Sequence, residues 1–210
     1  MKPYKIPEEE IRLAAKCGFL SKRLWNDHIN KRKRSWTYER WKGFIKKEIF
    51  IPFGRHRGDE VVFLNKESDI VKSVARGQFV APPTAYQILH DEIVVDTVLS
   101  WTKFKNVTNY FFEPEIRRAP RAFGIRKIDK IPDAIVEING EHFAIEVELS
   151  IKSPKRYRKA LTSYAISDNY REVHFFTDRI EIKHNLLKVA KEIKYPKDET
   201  PMKINLINVA

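Results

Sequence analysis

Pro132-Asp-Ala-Ile-Val-Glu-Ile-Asn-Gly-Glu-His-Phe-Ala-Ile-Glu-Val-Glu-Leu149 is the stretch on which the reading of this chain turns. Short apolar runs flank Asn139-Gly140 on both sides, and Ile145–Leu149 alternates apolar and acidic residues, the period of a strand. The dipeptide itself is a strong two-residue turn signal, because both positions accept positive φ. The stretch therefore predicts a hairpin, with Asp133–Ile138 as one arm and Glu141–Leu149 as the other. On the return arm Glu146 and Glu148 share one face, while Ile145, Val147 and Leu149 point to the other. The hairpin can bring that carboxylate pair towards Asp133. Three carboxylates in one cleft repel one another without a cation, and hard oxygen ligands suit Mg2+ or Mn2+. The plainer alternative makes Glu146 and Glu148 the solvated face of an edge hairpin.

Outward from this hairpin, a helix is expected from Thr84 to about Phe104, then a strand from Val107 to Glu113 and a basic stretch from Arg117 to Lys130. After it come a helix from Ser153-Pro154 to about Ile166, a strand at Glu172–Phe176, a helix at Glu181–Ile193 and a strand at Lys203–Ile207. The α-β-β-β-α-β order, with Pro132-Asp133 opening the second strand and Glu146-Val-Glu148 on the third, resembles the core of the PD-(D/E)xK nuclease superfamily. That resemblance implies an α/β domain with Asp133 and Glu146 as metal ligands and metal-assisted hydrolysis of a phosphodiester. Glu148 stands where the superfamily usually carries lysine, a departure that some active restriction endonucleases share. It joins Asp133 and Glu146 in the expected metal site. Lys152 or Lys155, just downstream, is the candidate for the missing lysine. The expected catalytic set is Asp133, Glu146, Glu148 and Lys152. Lys155 and Arg156, in the basic run Lys152–Lys159, open a helix whose positive dipole end disfavours them unless an anion is present, which points to phosphate contact.

The residues before Thr84 read differently. Pro7 and Glu8–Glu10 open a first helix that Gly18 closes, Ser21 caps a second, and Ser35 caps a third carrying Trp36, Trp41, Phe44 and Ile45. The period then becomes strand-like: Ile49–Phe53 and Glu60–Leu64 flank a loop, Gly54–Asp59, and a further helix covers about Lys66–Ala75. Three short helices and a basic hairpin form the arrangement of a winged helix-turn-helix. Lys31, Arg32, Lys33, Arg34, Arg55, His56 and Arg57 are expected to contact phosphates, and Thr37, Tyr38 and Arg40 to face bases. The fold class expected is therefore α+β and α/β, with a winged helix at 1–83 and the nuclease-like core at 84–210, divided at Pro82-Pro83.

Composition sets the class of partner. The 210 residues carry a net charge of +12, and residues 1–84 hold 19 Lys+Arg against 10 Asp+Glu, the rest 21 against 18. A surplus of this size favours a polyanion, and DNA, in duplex form, is the partner expected. Cys17, the single cysteine, excludes an internal disulfide and a cysteine-rich zinc site and reads as a buried thiol. The amino terminus lacks the apolar run of a signal peptide, and no segment reaches a membrane span, so a cytoplasmic protein is expected. Cutting both strands of a duplex with one such site per chain calls for a homodimer.

Across nearly the whole chain the arrangement also resembles the replication-relaxation family of mobile-element proteins. The matching segments are Gly18-Phe-Leu-Ser-Lys22, Leu89-His-Asp-Glu-Ile-Val-Val-Asp96, Pro132-Asp-Ala134 and Ile145-Glu-Val-Glu148. This resemblance implies a role in plasmid, phage or integrative-element DNA processing, either as a metal-dependent endonuclease or as a non-catalytic DNA-binding accessory factor.

Overall fold

The computed structural model describes residues 6–29, 34–76, 78–126, 129–193 and 202–206. The chain divides into two compact units, Met1–Asp96 and Thr97–Ala210. The division falls inside the helix that follows Pro82-Pro83, beyond the 83/84 boundary read from the prolines.

In the first unit the elements are α1 (Glu8–Cys17), β1 (Leu20–Ser21), α2 (Lys22–Leu24) running into a π-helical turn at Trp25–Ile29, α3 (Arg34–Lys46), β2 (Phe50–His56), β3 (Asp59–Leu64) and α4 (Asp69–Ala75). The three strands form an antiparallel sheet in the order β1-β3-β2. Gly18 ends α1 for two reasons: its φ is 88°, and a Cβ there would lie 2.5 Å from the Ala81 carbonyl oxygen. Ser21 caps α2 by accepting the Leu24 N–H at 3.1 Å. The core is aromatic, with Trp25 5.4 Å from Trp41 and 5.6 Å from Phe44, which in turn lies 5.8 Å from Phe50. Cys17 is buried, its thiol donating to the carbonyls of Leu13 and Phe19.

Three local expectations change. Helix α3 begins at Arg34, so Ser35 lies inside it rather than capping it. Helix α4 begins at Asp69, later than Lys66. The hairpin loop also shrinks to Arg57-Gly58, both at positive φ, while Arg55 pairs with Glu60 and His56 with Asp59 along the ladder. A bulge between Pro52 and Gly54 absorbs the extra residue, where proline offers no N–H and glycine allows a φ of 143°.

Helix α5 (Ala85–Phe104) begins in the first unit and ends in the second. Within the first, Glu92 accepts from the Ser21 hydroxyl and from Arg23 Nε at 3.3 Å. Asp96 accepts from Arg23 Nη1 at 3.2 Å and lies 2.5 Å from His28 Nε2. Burial alone would raise the Asp96 carboxyl, but His28 and Arg23 hold it below the usual range. This network holds the first half of α5 and explains why the division comes late.

The second unit continues with β4 (Val107–Phe112), α6 (Glu113–Arg118), a 3-10 turn at Pro120–Phe123, β5 (Ala134–Ile138), β6 (Glu141–Val147), α7 (Pro154–Ala165), β7 (Glu172–Thr177), α8 (Ile180–Lys191) and β8 (Met202–Leu206). Its five-stranded sheet runs β4-β5-β6-β7-β8, antiparallel as far as β6 and parallel from β6 to β8. Asn139-Gly140 forms the expected turn, with φ of 53° and 80°. Along β6 and β7, Ala144, Val173 and Phe175 pack with Tyr157, Leu161 and Tyr164 of α7 and with Ile182 and Leu186 of α8. The opposite face carries Phe143, His174 and Phe176, which ring Trp101 of α5. The protein is thus mixed α+β with two sheets. No helix among the described residues is long and apolar enough to cross a membrane.

Candidate functional site

Strand β6 is the middle strand of its sheet, so the hairpin Asp133–Leu149 is not at an edge and its acidic pair is not solvated. Glu146 is 6% exposed and Glu148 8%. Glu146 points to the face covered by α7, and Glu148 follows directly after β6, its N–H reaching the Phe176 carbonyl at 2.8 Å.

Two groups converge on Oε1 of Glu146: the Lys130 ammonium and the Tyr164 hydroxyl. Burial pushes the Glu146 carboxyl up to about 7; Lys130 opposes the rise and the negative charge of Asp133 adds to it. Burial would lower the Lys130 pKa, yet the charges of Glu146 and Asp133 outweigh it and raise it. Burial, and then the Glu146 charge, lifts the Tyr164 phenol well above its ordinary value, so it stays a donor. Asp133 is tied in differently: its Oδ2 accepts the Val147 N–H at 2.8 Å, joining the start of β5 to the end of β6. Glu148 pairs with Lys152 and accepts from the Ser150 hydroxyl at 3.1 Å.

A cleft of 840 Å3 opens above these groups. Glu146 and Glu148 line it together with Lys130, while Lys152, Lys155, Arg156 and Lys159 line it from the start of α7. Lys155, Arg156 and Lys159 are exposed and have no carboxylate partner among the described residues. The arrangement sets buried carboxylates against a cationic rim, a surface suited to a phosphate chain that also needs acidic chemistry. Asp133 does not line the cleft. Among the described residues no three His, Cys, Asp or Glu side chains are grouped to hold a metal ion, and Lys130 and Lys152 engage the two glutamates.

The expected nucleic-acid contacts of the first unit are spread more widely. Lys31, Arg32 and Lys33 lie outside the described residues, and Arg34, Thr37 and Tyr38 stand on the first turns of α3. Arg40 is a correction: its guanidinium turns inward to Glu10, 2.7 Å away, and lies 5.8 Å from the Trp25 ring and 5.6 Å from the Phe44 ring. An arginine committed to a buried carboxylate does not face bases. Arg55 and Arg57 are exposed on the hairpin, whereas His56 is half-buried with Nε2 enclosed, which removes that atom from phosphate contact.

Sequence reasoning missed Lys130, Tyr164 and the Glu10–Arg40 pair. Lys130 stands three residues before Asp133, where it read as one cation in a basic stretch; its distance from that motif was the available signal. Tyr164 falls in the helix expected after Ser153-Pro154, and nothing in the helical pattern showed that its hydroxyl would meet a carboxylate.

No family model matches the chain, and no curated protein or solved structure matches it.

Proposed function

We propose that the protein binds DNA and hydrolyses its phosphodiester backbone with a divalent cation, Mg2+ or Mn2+, in the second unit. The observation that carries this reading is the cleft itself, with buried Glu146 and Glu148 beneath a rim of Lys152, Lys155, Arg156 and Lys159. The β4–β5–β6–α7–β7 order around it supports a PD-(D/E)xK nuclease-like core. The helix and strand order of the first unit, its three-stranded sheet and the exposed Arg55 and Arg57 support a winged helix that holds duplex DNA. On the resemblance noted above, the setting is the processing of mobile-element DNA.

The residues fit a hard cation in chemistry. Asp133, Glu146 and Glu148 offer only carboxylate oxygens, and the Lys130 ammonium on Glu146 is a cation already standing in that place. Glu146 and Glu148, the two of them that line the cleft, would hold the ion, which would supply polarisation of the phosphate and a more acidic water. The chain's own residues do the rest. Lys155, Arg156 and Lys159 hold flanking phosphates. Tyr164 fixes the Glu146 carboxylate by its hydrogen bond, and Lys152 sets Glu148 at the mouth of the cleft.

The engagement of both glutamates by lysines favours a second reading, a DNA-binding accessory factor without catalysis. Incubation with supercoiled plasmid and Mg2+ or Mn2+ separates the two. Nicking by the native protein and none by an Asp133→Ala, Glu146→Gln double variant supports the nuclease. If neither protein cuts while both retard DNA in a gel, the accessory reading replaces it.

A further inference from the structure

We infer that Lys130 is a built-in competitor for the divalent ion: its ammonium closes Glu146 in the ion-free protein and is released into the cleft when the ion binds. This rests on the reading of Glu146 as a metal ligand. Both donors of Glu146, Lys130 and Tyr164, sit on Oε1, so a cation that takes this oxygen displaces one of them, and its charge repels the ammonium. Tyr164 is the fixed partner. It is 2% exposed, and its ring packs 5.8 Å from Tyr170 and 6.0 Å from Phe175. Lys130 is the movable one, with a side chain 31% exposed at the edge of the cleft.

The backbone of Lys130 is nonetheless anchored, its N–H donating to Ser163 Oγ of α7 at 2.8 Å. Displacement therefore swings a flexible four-carbon stem and leaves the chain in place. Once displaced, Lys130 adds a cation to a cleft rimmed by Lys155, Arg156 and Lys159, which strengthens the pull on an anion there. Ion binding and phosphate binding are then coupled through one side chain: each ion that enters frees one more charge for the backbone of the nucleic acid.

The test is a Mn2+ titration at pH 8, followed by electron paramagnetic resonance of free Mn2+, on the native protein, Lys130→Met, Lys130→Gln and Glu146→Gln. Loss of the competitor should tighten Mn2+ binding by about tenfold in the two Lys130 variants, and Glu146→Gln should weaken it. Folded Lys130 variants that bind no more tightly than the native chain overturn the inference, while metal binding that depends on Glu146 leaves the metal-site reading intact. Absence of Mn2+ binding in every folded protein overturns both. The native chain provides a check that needs no variant. Acetylation of Lys130, read by mass spectrometry, should rise when Mn2+ is added, and unchanged labelling at saturating Mn2+ counts against displacement.

Discussion

Glu10 in the first unit and Glu146 in the second are both buried carboxylates met by a basic side chain and an aromatic donor. Glu10 is 1% exposed and accepts from Trp25 Nε1 at 3.1 Å and Arg40 Nη2 at 2.7 Å. Glu146 accepts from Tyr164 and Lys130. The difference lies in the surroundings. Glu10 of α1 meets the π-helical turn and α3 at the paired tryptophans, and its guanidinium partner also lies against the Trp25 and Phe44 rings. Glu146 faces an open cleft, feels a second carboxylate at Asp133, and is held by a flexible ammonium. Burial with an enclosed partner produces structure, whereas burial beside a like charge and an opening leaves a carboxylate that a cation from solution can reach, as the proposed function requires.

The sharpest way to break this comparison is to remove each carboxylate in turn. Glu146→Gln should lower plasmid nicking by about 100-fold or more, the scale of losing a metal-site group, with the fold retained by circular dichroism. Full nicking by that variant would reduce Glu146 to a second Glu10. Conversely, Glu10→Ala strands Arg40 and the Trp25 N–H, and should cost about 3 kcal/mol of stability in calorimetry. Its nicking rate below the melting transition should be unchanged.

Proton linkage separates the two next. The Glu146 carboxyl rises from an ordinary 4.5 to about 7 in the folded protein. The folded state thus holds this proton more tightly than the unfolded chain, and the resulting stability is complete below about 4.5 and lost as pH rises through 7. With divalent ions chelated, denaturant unfolding of the second unit should show a loss of about 2 kcal/mol between pH 5 and pH 8. Glu146→Gln should flatten that loss, and an equal slope in both proteins would place its origin elsewhere.

Charge removal on the rim has a smaller effect. Lys155→Ala, Arg156→Ala and Lys159→Ala together should weaken DNA binding by about tenfold and reduce the salt slope by roughly 2 to 3, one contact per side chain. Arg55→Ala with Arg57→Ala on the hairpin should cost about threefold and a slope change of roughly 1 to 2 in the same titration. A larger loss from the hairpin pair than from the α7 triple would shift the main nucleic-acid surface to the first unit.

Local rules carried much of the architecture. Asn139-Gly140 set the β5–β6 turn because few other dipeptides accept two positive φ values, and the alternation around it fixed which residues share a face with Glu146. Gly18 and Ser21 marked a helix end and a helix start for equally local reasons of φ and capping. The hairpin loop was read too long because the bulge at Pro52–Gly54 shows itself only when β3 is paired opposite.

What the chain alone determined, then, was the order of the longer elements and their periods, consequences of backbone preferences within a few residues, whereas β1 and α6 escaped it and Glu148 fell just beyond β6. Tertiary structure decided the strand order that buries β6, the inward turn of Arg40 and the meeting of Lys130 with Glu146. Those depend on which neighbours remove water and supply countercharge, and such neighbours come from distant parts of the chain.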